Sequence, residues 1–134
     1  MHLFDSSKIK HQILLFIREW IALLFEEKFA EACNRIDGSI HPENSVAWTP
    51  ELLNEVLMDY AWHERMPVVT NPAKMDLTDE QVYFYKYDSP AQHGYAVEYD
   101  IPLDGEWSDL TAQFSFVENS NNLYTITLEG IHVL

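Results

Sequence analysis

The sequence predicts an α+β fold: N-terminal helices packed on one face of a curved antiparallel sheet of about four strands, in a single domain over residues 1–134. Three observations predict it. Up to about Ala61, apolar residues recur at helical spacing. From Gln81 onward the apolar period changes to two. The alternating segments are joined by short connections, which favour a meander of hairpins.

The first helix is expected from Lys8 to Phe25. Its polar positions Lys8, His11/Gln12, Arg18/Glu19 and Glu26 leave a broad apolar arc of Ile13, Phe16, Ile17, Trp20, Leu23 and Leu24. An arc that broad calls for contact on two sides. A second helix is expected from Glu26 to Ile36, with Phe29, Ala32, Cys33 and Ile36 on one face and Gly38 as its stop. Residues 38–48 read as a loop. Thr49-Pro50-Glu51 then starts a third helix: a threonine cap, proline in the first turn, and an acid at the positive end of the helix dipole. Leu52, Leu53, Val56, Leu57, Tyr60 and Ala61 form its buried face. Pro67 and Asn71-Pro72 break the helical pattern and open an irregular connection.

Four strands follow. Val82–Tyr87 is the first. Tyr95, Val97, Tyr99 and Ile101 mark the second, Leu110, Ala112, Phe114 and Phe116 the third, and Tyr124, Ile126 and Leu128 the fourth. The connections are Asp88–His93, Pro102–Ser108 with a central Asp104-Gly105, and Glu118–Asn122. One sheet face is aromatic and aliphatic and can hold the helices. The other carries Glu98, Asp100, Thr111, Gln113, Ser115, Thr125, Thr127 and Glu129, a face expected to be solvated unless it meets a partner. No internal repeat, low-complexity tract or linker interrupts the chain.

Charge is the most informative functional feature. The chain has 22 acidic and 8 basic residues, a formal net charge of −14. After Lys86 it has neither lysine nor arginine, yet it carries Asp88, Glu98, Asp100, Asp104, Glu106, Asp109, Glu118 and Glu129. Such one-sided charge opposes compaction by self-repulsion. Either solubility or a cationic partner is the reason to keep it. A hydrophobic content of 47% is too high for a disordered acidic tail. Nucleic acid is excluded as a direct partner, because phosphate binding needs clustered Lys and Arg. An anionic membrane surface is disfavoured for the same reason. The lone Cys33 allows no intrachain disulfide and fits a reducing compartment. No signal peptide or membrane span is legible, so a cytoplasmic location is expected.

Asp100–Asp109 concentrates the candidate site. Asp100, Asp104, Glu106 and Asp109, with Asp88 and Glu98 nearby, can pair with Arg or Lys of a partner, and Trp107 can supply a desolvated anchor. The plainer reading makes Asp104-Gly105 a hairpin turn, with Trp107 folded back on the core and Ser108 and Asp109 satisfying backbone N–H groups. Calcium is not expected, because this spacing is not that of an EF-hand loop. Nor is zinc: the histidines are scattered, and His63-Glu64-Arg65-Met66 lacks a second histidine at zincin spacing. No cofactor is expected. Tyr60, His63, Tyr83, Tyr85, Tyr95, Asp100 and His132 are potential pocket groups, but no phosphate loop, nucleophile elbow or Cys/His pair supports an enzyme. Cys33, on an apolar helix face, is expected to be inert.

The stretch Tyr99-Asp100-Ile101-Pro102-Leu103-Asp104-Gly105-Glu106-Trp107-Ser108-Asp109-Leu110-Thr111 is the most distinctive in the chain. It resembles the hallmark of a family of small bacterial domains of unknown function, in which D-[IL]-P-L-D-G-E-W-S-D-L-T precedes two final strands. The order of helices followed by a sheet resembles the nuclear-transport-factor-2-like (cystatin-like) superfold. Size and acidity resemble immunity proteins, which neutralise bacterial toxins. That last resemblance implies an inhibitor of a cationic, nuclease-like toxin domain, with a basic protein as partner. The superfold implies another class, a small-ligand-binding or catalytic cone-shaped domain. A structural homodimer without activity is the third expectation.

Overall fold

A computed structural model describes residues 1–37, 47–60, 68–87, 89–90 and 92–133. The elements run β1 (His2–Leu3), α1 (Ile9–Phe25), α2 (Phe29–Asn34), α3 (Pro50–Tyr60), β2 (Val82–Lys86), β3 (His93–Leu103), β4 (Glu106–Ser120) and β5 (Leu123–Val133). The five strands form one sheet in the order β1-β5-β4-β3-β2, with every pairing antiparallel. The fold is α+β, with helices on one side of an open meander. Gly38, His63, Pro67 and Asp88 lie outside the described residues.

The period-two pattern fixes which face is buried. Val97, Tyr99 and Ile101 of β3, Ala112, Phe114 and Phe116 of β4, and Ile126 and Leu128 of β5 all face the helices and are buried. The apolar arc of α1 meets them. Trp20 packs edge-on to Phe114 at 5.2 Å, and Phe16 does the same to Phe116 at 5.8 Å. The other side of that arc touches α2, where Trp20 Nε1 donates to the Ala32 carbonyl. The two-sided burial expected of α1 therefore comes from sheet and helix within one chain.

The second helix is shorter than its sequence pattern. Glu27 takes a left-handed conformation (φ 59°). The Lys28 N–H bonds to the Leu23 carbonyl and the Glu27 N–H to the Leu24 carbonyl, a Schellman closure of α1. Glycine normally marks that position, and here a glutamate fills it, so the sequence shows no stop. The start of α3 follows its sequence signal, with the Leu52 N–H donating to Thr49 Oγ1 at 3.1 Å. Asn71-Pro72 does more than break a helix: Asn71 Oδ1 accepts from Ala73 N–H and starts a short 3-10 turn over Pro72–Lys74.

The strand β1 was not foreseen. His2 and Leu3 pair with Tyr124 and Leu123, and the Met1 ammonium is 2.7 Å from Asp37. Farther along the same edge of β5, the Asp37 N–H donates to the Ile126 carbonyl and the Ile126 N–H to Asp37 Oδ2. Trp48 Nε1 donates to the Leu128 carbonyl. This edge of the sheet is thus covered from Leu123 to Leu128.

The outer face departs from the solvated surface that its sequence suggests. It is not uniformly solvated, because Thr111, Ser115 and Thr127 are buried there. Their side chains are short and lie on the central strand β4 and its neighbour β5. The Tyr87 hydroxyl shares a 2.6 Å hydrogen bond with Ser115, and Thr111 Oγ1 donates to Asp100 Oδ1 at 3.0 Å.

Candidate functional site

The outer face carries a cleft of about 340 Å³ at its β2 end. Its walls include five carboxylates: Asp79, Glu80, Glu98, Asp100 and Asp109. Gln81, Tyr83 and Thr111 complete the polar lining, and no lysine or arginine lines the cleft. The register builds it. Tyr83 pairs with Glu98 and Asp100 with Thr111, which sets these four side chains on one face. Asp109 precedes Thr111 by two residues and projects to the same side. Asp79 and Glu80 arrive from the turn that leads into β2.

Glu98 and Asp100 are the half-buried members, and Asp100 is the perturbed one. Burial pushes its carboxyl up from the ordinary carboxylate range, the Thr111 hydrogen bond opposes that, and the charges of Asp109 and Glu98 add to the rise. Asp109 accepts a hydrogen bond from the Tyr60 hydroxyl at the end of α3. That bond, with burial and the Asp109 charge, raises the Tyr60 phenol. Beside the cleft, the exposed rings of Tyr83 and Tyr85 lie 4.5 Å apart. The Tyr85 phenol is raised by desolvation first and by the nearby Glu98 charge second. A second hollow, of about 310 Å³, continues across the sheet from Glu98 to Tyr87, Gln113, Ser115 and Glu129.

The acids that are neighbours in sequence divide into two groups in space. Glu98, Asp100 and Asp109 belong to the cleft. Asp104 and Glu106 sit at the β3–β4 hairpin, where Asp104 (φ 53°) and Gly105 (φ 83°) make the two-residue turn. Asp104 Oδ1 accepts from the Val68 N–H at 3.2 Å, Asp104 N–H donates to the Val68 carbonyl, and Gly105 N–H donates to Thr70 Oγ1. This turn is tied to the connection before β2. Trp107 is half-buried: its ring meets Tyr99 edge-on at 6.3 Å and its Nε1 donates to the Asp76 carbonyl at 3.3 Å. Glu106 is exposed. Asp88 is among the residues not described.

Asp79 and Glu80 are the members that sequence reasoning missed. Their only signal was a position just ahead of a strand, and their closeness to Asp109 depends on strand pairing far along the chain. Among the described residues, no group of three or more His, Cys, Asp or Glu side chains is placed to hold a metal ion. The carboxylates line the cleft without converging on a point. What they create is an extended negative field beside aromatic rings, a surface suited to guanidinium or ammonium groups.

The profile of DUF7668, a domain of unknown function, matches residues 25–134, from the end of α1 through β5. The chain belongs to the DUF7668 family. No curated protein and no solved structure matches it. The family range holds α2, α3 and the four long strands, hence every residue of the cleft. No helix among the described residues is long and apolar enough to cross a membrane.

Proposed function

We propose that this DUF7668 chain is a binding protein for a cationic protein, most concretely an immunity protein that covers the basic substrate groove of a nuclease-like bacterial toxin domain. The observation that carries the reading is the cleft: five carboxylates, an exposed tyrosine pair at its rim, and no basic side chain in its lining. The net charge of −14 extends the attraction beyond contact distance. Long-range steering of this kind raises association rates, and pairs that become desolvated on docking slow dissociation. The bacterial, cytoplasmic setting belongs to the same proposal.

The interior favours a surface reading over an enclosed-ligand one. Trp20, Tyr99, Phe114 and Phe116 are fully buried between α1 and the sheet, where a cone-shaped domain would keep its pocket. The test is affinity capture from the source cells at low and moderate salt, with the parent chain and with a Glu98→Gln/Asp109→Asn variant. The parent should retain a basic protein that rising salt releases and that the variant does not hold. The purified partner's activity should fall on titration with the chain. Equal retention by parent and variant, or a partner without a basic surface, contradicts the proposal.

A further inference from the structure

The two edges of the sheet differ. From Leu123 to Leu128 the β5 edge is covered by β1, Asp37 and Trp48. The β2 edge is not sealed by any described residue. The Gln81 carbonyl accepts from the Asp100 N–H and the Tyr87 N–H donates to the Gly94 carbonyl, so Gln81, Tyr83, Tyr85 and Tyr87 turn their backbone groups toward β3. Val82, Phe84 and Lys86 therefore point their N–H and C=O groups outward, and these bond to no other described residue. No bulge interrupts the β2–β3 register. Proline is also absent from this strand, and Lys86 is its one charged residue. An unpaired edge without a bulge is a template for another strand.

We propose that the β2 edge receives an extended segment of the cationic partner as a sixth strand, with Arg or Lys at alternate positions. The inference rests on the proposed binding of a cationic protein and names how that protein docks. An added strand lies about 4.8 Å from β2 and alternates its side chains between the two faces. Residues opposite Tyr83 and Tyr85 emerge on the outer face, against two exposed rings backed by Glu98 and the cleft. Cations there meet both the ring faces and the carboxylates. The intervening residues fall beside Val82 and Phe84, both half-buried, which suits apolar side chains. Main-chain bonds would supply affinity and the alternating cations specificity. Charge favours this occupant over a second copy: pairing two β2 edges would place two acidic clefts side by side, on chains of charge −14 each.

The experiment uses the full chain and two synthetic peptides of equal charge. One alternates arginine and valine; the other is the same peptide N-methylated along its backbone. Amide exchange is followed with and without each. The unmodified peptide should slow exchange at Val82, Phe84 and Lys86 by at least about tenfold, while the methylated peptide leaves them unchanged. If both peptides bind equally, perturbing Glu98 and Asp100 while those amides stay fast, edge pairing is wrong and the cationic-partner reading survives. If neither binds at low salt, both fail. If the same amides slow with protein concentration alone as the mass doubles, the occupant is a second copy and the proposal is overturned.

Discussion

Replacing Phe114 by alanine removes a ring that is 1% exposed and packs against Trp20 at 5.2 Å, Phe116 at 5.9 Å and Phe16 at 6.5 Å. Burial of a phenylalanine in a core that cannot fully collapse is worth about 3–5 kcal/mol on truncation. The edge-on contact with Trp20 adds roughly 0.5–1.5 kcal/mol. Phe114 lies in β4, between β3 and β5, so neighbouring strands hold the cavity open. The expected loss is therefore near the top of that range, about 4–5 kcal/mol. Urea unfolding followed by tryptophan fluorescence measures it, because Trp20 faces the altered site. Leu15→Ala, at a position 47% exposed on α1, is the control and should cost less than about 1 kcal/mol. A loss below about 1.5 kcal/mol for Phe114→Ala would refute the packing of α1 on this face of the sheet.

Three further outcomes are expected. The Asp100 carboxyl is raised in the folded chain, so its charged form is penalised there above the unfolded value; Asp100→Asn should raise the thermal midpoint at neutral pH, and the two midpoints should converge as pH falls through the raised folded value and below the ordinary aspartate range. A difference that grows on acidification would contradict that assignment. Glu27→Gly should stabilise by about 0.5 kcal/mol, since glycine relieves the left-handed φ but gains freedom when unfolded; thermal unfolding reads the sign. Gly94→Ala places a Cβ into the Phe116 carbonyl at a φ of 141°, so it should cost more than about 3 kcal/mol by urea unfolding, and a neutral result would refute the β3–β4 register.

Periodicity carried much of the fold because each long element buries one face. Trp20 and Phe16 recur at helical spacing, and Phe114 and Phe116 at strand spacing, since both sets meet the same core. What periodicity cannot carry is a conformation that the usual residue does not mark. Glu27 closes α1 in the left-handed region without a glycine, so the first two helices read as nearly continuous. His2–Leu3 is too short to show alternation, and its partner Leu123–Tyr124 lies at the other end of the chain. The same limit governs the site. Asp100, Asp104, Glu106 and Asp109 read as one patch because they are close in sequence. The turn at Asp104-Gly105 separates its own tip from the outer face, while strand register brings Asp79 and Glu80 beside Asp109. The buried hydroxyls of Thr111, Ser115 and Thr127 escaped notice because their cover comes from neighbouring strands, not from their own.

The central claim is that the outer-face carboxylates meet a cationic protein. Its most direct measurement is the affinity of the captured partner for two neutralised variants across a salt series: Glu98→Gln/Asp109→Asn in the cleft, and Glu26→Gln/Glu31→Gln beside the helices. Each retains side-chain shape, and amide exchange checks that each remains folded. The cleft variant should lose about 2–5 kcal/mol of binding energy, chiefly through faster dissociation, whereas the helix variant should change only association rate and salt dependence. The parent's affinity should fall steadily as ionic strength rises, since screening at physiological salt acts over about 8 Å. If the cleft variant binds as tightly as the parent at every salt concentration, the acidity serves solubility, and the outer face is not the site.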